Sequence, residues 1–438
     1  MTPPDPRARA LGVLHAVARD ATPLHAALAG ALQGVAEGAD RALVTDVVYG
    51  VLRWWPALDA ALAARLSDAD ALPDAVRDAL RAGAFERLVR GTPAHAAVHA
   101  WVEVVKGRPG PERRLAGLVN AVLRRVDLAD VRDPAAAVGL TPALWLHLSE
   151  ALGDRAAEAA RAMLRPGPLW LTAHTADAAR RLRADGAEVR AGPLPTSLAV
   201  RPGRPLEALA AFREGAVQPQ NPSSAAVVAA LGTVRGERVL DVGSGHGVKA
   251  AQLAGAGAQV VAVEHDARRA RVGSANLARM GFSVTHVVAD ATHPLPVDPV
   301  DAALLDAPCT GTGTLRGHPE IKLRWRPDDP RASAVRQAAM LDAVAAAVRP
   351  GGRLVYAVCA LGRPEGPEVV AAFLARTRGW RAAPVALPLR TVPAGDGVWI
   401  LPDDGGLDGF FVARLERSSG PTPTSGRRVD PLAAGDPP

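Results

Sequence analysis

Cysteine, lysine and aromatic residues are scarce in this 438-residue chain, and each shortage excludes something. Two cysteines, Cys309 and Cys359, are too few for a disulfide-stapled secreted scaffold. Neither lies in a CxxC or Cys/His spacing that would hold zinc, so no metal site is expected and a reducing, cytoplasmic setting is. No stretch approaches the roughly 20 apolar residues of a membrane span, and the first ten residues, MTPPDPRARA, lack the apolar run of a secretory signal. Lys106, Lys249 and Lys322 are the only lysines among 51 Lys and Arg side chains. GC-rich codon usage accounts for that replacement, yet it draws attention to the three that remain.

What is present suits several packed cores. Hydrophobic residues make up 48% of the chain, and the length favours two or three domains over one. A net charge of +6 and a pI near 10 fit a polyanionic partner such as nucleic acid. Residues 7–126 carry Ala, Leu and Val at steps of three and four, as in Leu11, Leu14 and Val17 or Val47, Val51 and Leu52, with prolines such as Pro73, Pro93, Pro109 and Pro111 at the breaks. An all-α domain over 1–135 is therefore expected. Residues 136–166 read as two further helices, and 168–215 as strand, helix and strand, which together suggest a small α+β linker module over 136–215. From 216 to 417 apolar runs of strand length alternate with helices: RVLDVG, QVVAVE, VTHVVAD, VDAALLD and GRLVYAV. That pattern predicts an α/β Rossmann-like domain whose mostly parallel sheet is covered on both faces. Residues 418–438 are rich in Pro, Gly and Ser and read as a disordered tail.

The first strand of that domain runs into VLDVGSGHGVKA. Asp241 closes the strand, and Gly243, Ser244, Gly245, His246 and Gly247 form the turn before a helix that opens near Lys249. Glycines let backbone approach a ligand at a helix N-terminus, which alone also fits a nicotinamide dinucleotide site. The spacing is GxGxG, however, not the GxGxxG that cradles a pyrophosphate. Glu264 ends the second strand, placed for ribose hydroxyls, and Asp290 ends the third, placed for an adenine amino group. A glycine turn with two strand-end acids is the pattern of an S-adenosyl-L-methionine site.

Asp306, Pro308 and Cys309 follow the fourth strand and Cys359 ends the next, so both cysteines fall at the edge expected to bind the cofactor. One cysteine there would pass as a small buried hydrophobe; both of only two are harder to set aside. Cytosine C5 is too weak a nucleophile to take a methyl group unless a thiolate first adds at C6. A carboxyl group such as Asp306 stabilises charge developing on the ring, and a cation such as Lys249 favours the thiolate.

These segments resemble the RNA cytosine-C5 methyltransferases. DAPCTGTGTLRGHPEIK (306–322) resembles that family's fourth motif and VYAVCAL (355–361) its sixth, whose cysteine is the nucleophile. The resemblance implies that Cys359 attacks, that Cys309 assists release of the product, and that the partner is RNA. FREGAVQPQNPSS (212–224) and DGFFVARL (408–415) resemble the family's flanking segments. DRALVTDVVYGVLRWW, HAAVHAWVEVVKG and LAGLVNAVLRRV, within 40–126, are similar to a NusB-like RNA-binding domain. On this resemblance the substrate is 16S ribosomal RNA, naked or within an assembling small subunit, and Lys322, Arg53, Arg124 and Arg125 are candidate RNA contacts. The alternative is a ribosome-assembly factor that binds RNA and keeps the fold with little catalysis: Val358 stands before the second cysteine where the family has Thr, and the first motif reads GSGHGVKA in place of the family's AAPGGKT-like run.

Overall fold

The computed structural model describes residues 5–36 and 38–419; residues 420–438 of the expected tail lie outside the described residues. The helical region comprises α1 (Pro6–Ala18), α2 (Leu24–Leu32), α3 (Ala39–Ala63), α4 (Asp74–Leu88), α5 (Ala94–Lys106) and α6 (Ala116–Arg125). The apolar stripe read from sequence is its core: Val44, Val47, Val48, Val51, Leu52 and Leu58 of α3 are fully buried against α1 and α4. Gly50 permits that contact, since a Cβ there would lie 1.9 Å from the Phe85 ring.

Three helices follow: α7 (Pro134–Ala137), α8 (Pro142–Leu152) and α9 (Ala156–Leu164). They do not join the expected linker module. Leu144, Leu148, Leu152 and Met163 share one apolar cluster with Leu240, Val242, Tyr356 and Phe411 of the large sheet, because that sheet face would otherwise stand open. The module itself is β1 (Leu169–Ala173), α10 (Ala178–Ala184), β2 (Glu188–Ala191), β3 (Ser197–Arg201), α11 (Ala210–Arg213) and β4 (Val217–Pro219). Its antiparallel sheet has the order β2-β3-β1-β4 and its own core around Leu171, Leu182 and Val217. The boundary expected at 215/216 therefore falls inside this sheet.

The remaining elements are α12 (Pro222–Ala229), β5 (Arg238–Val242), α13 (Val248–Gly255), β6 (Gln259–Glu264), α14 (Ala267–Arg279), β7 (Thr285–Val288), β8 (Val300–Asp306), α15 (Ile321–Arg324), α16 (Asp329–Ala347), β9 (Val348–Val358), α17 (Pro367–Arg376), β10 (Trp380–Ala383), β11 (Val392–Ala394), β12 (Gly397–Ile400) and β13 (Phe410–Arg417). Strands β9-β8-β5-β6-β7 run parallel; β13 joins antiparallel to β9, followed by β12 and β11, with β10 also on β13. The apolar runs bury alternate residues on opposite faces. Leu240, Val263, Leu305 and Tyr356 belong to one cluster, while Val239, Ala262, Leu304 and Val355 belong to the other. The chain leaves β5 for β6 on one side and returns to β8 on the other, which opens a crevice at the carboxyl ends of β5 and β8.

Candidate active site

Strand register decides what meets at that crevice. Val242 pairs with Leu305 and Asp306 with Ala357, so the glycine turn, the Asp306 loop and Cys359 emerge side by side. Gly243 has φ +76°, and a Cβ there would lie 2.4 Å from the Asp306 carbonyl oxygen; only glycine lets the turn pass this close to β8. Gly245 donates its N–H to Glu264 Oε2 at 3.0 Å, and Asp266 N–H donates to Glu264 Oε1 at 3.1 Å. The carboxylate is thus fixed at the end of β6 although only 3% exposed. Asp290 lies beyond β7 with its carboxylate capped by the Thr292 N–H and hydroxyl, and it stays open to solvent.

Two cavities share this edge. One, of about 560 Å³, is lined by Gly243, Glu264, Asp290, Asp306, Cys309 and Cys359. The other, of about 330 Å³, is lined by Asp241, Ser244, Gly245, His246, Lys249, Asp306, Cys359, Asp408 and Phe410. Cys359 borders both, whereas Cys309 borders only the first. The sulfurs are 3.3 Å apart. The hydrogen bond to Cys359 and burial push the Cys309 thiol well above its usual range, so Cys309 holds its proton.

Lys249 lies between these groups, 8% exposed, and donates to Asp306 Oδ2 at 2.6 Å. Burial disfavours its charge, but Asp306 and then Asp241 outweigh that and keep the ammonium above the ordinary lysine value. Asp241 is fully buried with neither carboxylate oxygen hydrogen-bonded to a side chain, and burial pushes it up to about 7 against the opposing pull of Lys249. Asp408, at the foot of β13, is raised by burial to about 6, with Arg316 and His318 opposing.

The Cys309 loop is held by residues that sequence reading did not assign. Glu365 is fully buried and accepts from Thr310 N–H at 2.8 Å and from the Thr310 hydroxyl at 2.5 Å. Gln337 of α16 donates to the Pro308 carbonyl at 2.9 Å and to Glu365 at 3.2 Å. The Tyr356 hydroxyl donates to the Glu365 carbonyl at 2.6 Å. Gly313 N–H donates to the Cys359 carbonyl at 2.9 Å, joining the two cysteine loops directly. Glu365 lies just past the sixth motif in sequence, and its reach across 55 residues to Thr310 leaves no local signal.

Two of the four candidate RNA contacts are corrected. Lys322 is 4% exposed, and its ammonium donates to the carbonyls of Arg53 at 2.6 Å and Gly139 at 2.8 Å. Burial, helped by Arg53, lowers it to about 7. Arg53 is half-buried and donates from Nε to the Arg316 carbonyl at 2.9 Å. Arg324 completes the seam by donating to the carbonyls of Val17 and Thr22 at 3.1 and 2.8 Å. The segment after Cys309 therefore clamps the helical region onto the sheet domain and is spent inside the protein. Arg124 and Arg125, in the last turn of α6, are exposed.

Comparison with known proteins follows the same division. Residues 228–416 match the family described as 16S rRNA methyltransferase RsmB/F, and residues 4–127 match the NusB family. The chain is 42% identical over 384 residues to the ribosomal RNA small subunit methyltransferase B of Thermus thermophilus, covering 86% of this chain and 89% of that protein. It is 35% identical over 436 residues to the protein of the same name from Xanthomonas campestris pv. campestris, covering 94% and 97%. Among solved structures, PH0851 shares the fold with a TM-score of 0.76 at 22% identity, across 95% of this chain and 100% of that one.

Proposed function

The chain belongs to the RsmB/F family of 16S rRNA methyltransferases, S-adenosylmethionine-dependent enzymes, and from that premise we propose that it methylates C5 of a cytosine in 16S ribosomal RNA through a covalent bond to Cys359. The observation that carries this reading is the position of Cys359: it borders both the larger cavity and the smaller one that holds Lys249, Asp306 and Asp408.

The larger cavity suits the cofactor. Gly243 lets the turn at its wall pass against the Asp306 carbonyl, and the buried Glu264 carboxylate and the accessible Asp290 provide acceptors for hydroxyl and amino groups. Gly243, Glu264 and Asp290 would hold S-adenosylmethionine there, and it would supply an electrophilic methyl group whose sulfonium leaves as a neutral thioether. The smaller cavity suits a pyrimidine, with Phe410 on its wall and Lys249, Asp306 and Ser244 as polar partners.

In the proposed reaction Cys359 adds as thiolate to C6. The S–C6 bond forms, and the ring's π electrons shift away from C6, leaving C5 nucleophilic. Asp306, oriented by Lys249, hydrogen-bonds the N3/N4 edge where charge changes on addition. After C5 has taken the methyl group, a base removes the C5 proton; the C5–H electrons restore the double bond and Sγ of Cys359 departs. Asp408 faces this cavity and, with its raised value, is matched to accept a proton near neutral pH. Cys309, which keeps its proton 3.3 Å away, is placed to protonate the departing Cys359 sulfur. Arg124 and Arg125 remain the proposed RNA contacts of the helical region.

The test is transfer of labelled methyl from S-adenosylmethionine to 16S rRNA, with bisulfite sequencing to identify the base. Label at a single cytosine C5 is expected. RNA binding without methyl transfer would favour the assembly-factor reading instead.

A further inference from the structure

Cys309 and Cys359 are the only cysteines of the chain, and the fold brings them together from segments 50 residues apart. Both thiols are free, and their sulfurs stand 3.3 Å from each other. A closing movement of about 1 Å would bring them to bonding distance. Backbone contacts fix the approach on either side of the sulfurs. Gly313 N–H donates to the Cys359 carbonyl at 2.9 Å, Leu361 N–H donates to the Thr312 hydroxyl at 2.8 Å, and Glu365 holds Thr310. Joining the sulfurs therefore asks for side-chain movement, not for displacement of either loop.

The two sulfurs differ in access. Cys359 borders both cavities and shares the smaller with the Lys249 ammonium, whereas Cys309 borders only the larger and keeps its proton. A thiol beside a cation and open to a cavity is the one that a small oxidant reaches first. The second thiol, already in contact, is then the nearest nucleophile to the oxidised sulfur.

We propose that this pair is a redox modification site for peroxide: oxidation joins Cys309 to Cys359 in a reversible disulfide that switches methyl transfer off and spares Cys359 from irreversible oxidation. The switch rests on the reading of Cys359 as the attacking thiol. In the first step the Cys359 thiolate attacks one oxygen of hydrogen peroxide. The S–O bond forms, the O–O bond breaks and hydroxide leaves, giving a sulfenic acid. The Cys309 thiol then attacks that sulfur. The S–S bond forms, the S–O bond breaks, and the departing hydroxide carries off the thiol proton as water. The two sulfurs together give up two electrons, which reduce one molecule of peroxide. Without Cys309 the sulfenic acid meets further peroxide and passes to the sulfinic and sulfonic acids, which a thiol does not restore.

The test treats the full-length wild type and Cys309→Ser with hydrogen peroxide and blocks the remaining thiols with iodoacetamide. Intact mass, cross-linked peptides and methyl transfer are read before and after dithiothreitol. The wild type is expected to lose two hydrogens, to take up no iodoacetamide, to yield a peptide joined through Cys309 and Cys359, and to lose methyl transfer in step with that bond. Dithiothreitol should restore both thiols and the activity. Cys309→Ser is expected to gain two or three oxygens on Cys359 that dithiothreitol does not remove. A wild type that keeps both thiols open to iodoacetamide, that cross-links between chains instead, or that gains oxygens on Cys359 as readily as the variant would overturn the proposal. Because the bond is read by mass, a disulfide that forms while methyl transfer persists would overturn the switch through the nucleophile assignment, whereas a missing disulfide overturns it and leaves that assignment untouched.

Discussion

Replacing Lys322 with methionine probes the seam between the helical region and the sheet domain. The substitution keeps most of the buried volume and removes the donor shared by the carbonyls of Arg53 and Gly139. Leaving two buried acceptors unpaired costs about 1–3 kcal/mol each. The native ammonium also carries a cost, because burial lowers its pKa from 10.5 to about 7. Between those values the unfolded chain binds the proton and the folded chain does not, so the lysine's contribution to stability rises with pH, by up to about 1.4 kcal/mol per unit. The contribution is full above 10.5 and is lost as pH falls towards 7. Methionine has no such dependence. The stability of wild type relative to Lys322→Met is therefore expected to fall by about 2–3 kcal/mol from pH 9 to pH 7. Urea unfolding of both full-length proteins at several pH values measures this difference. A difference that does not change with pH would refute the buried, proton-releasing lysine described here.

Two further substitutions test the site. Gly243→Ala puts a side chain at φ +76° against the Asp306 carbonyl; the conformation alone costs about 1–2 kcal/mol, and calorimetry should find cofactor binding weakened at least tenfold. Glu365→Ala strips Thr310 of both its acceptors, and the methyl-transfer rate should fall at least tenfold with cofactor affinity unchanged, while Glu365→Gln, which keeps a carbonyl acceptor, recovers part of the rate.

Much of the site was legible because its groups sit at strand ends. Glu264 and Asp306 terminate apolar runs, and Asp290 and Cys359 follow such runs within two residues, so a parallel sheet necessarily brings them to one edge. The helical stripe of α3 was legible for a similar reason: its period is local. Lys322 and Arg53 misled because a basic residue looks the same in sequence whether it faces solvent or a carbonyl of another domain. Their partners lie 269, 183 and 263 residues away. Helices α8 and α9 were assigned to the wrong unit on similar grounds, since amphipathic spacing says that a face is buried but not against what. Strands β10, β11 and β12 are three or four residues long, too short for alternation to register.

The most direct measurement of the central claim uses denaturing gels of enzyme incubated with S-adenosylmethionine and a 16S rRNA substrate. Cys309→Ala should accumulate an RNA–protein adduct that survives denaturation, and Cys309→Ala combined with Cys359→Ala should form none. An adduct that persists without Cys359, or that needs Cys309, would contradict the assignment of the attacking thiol.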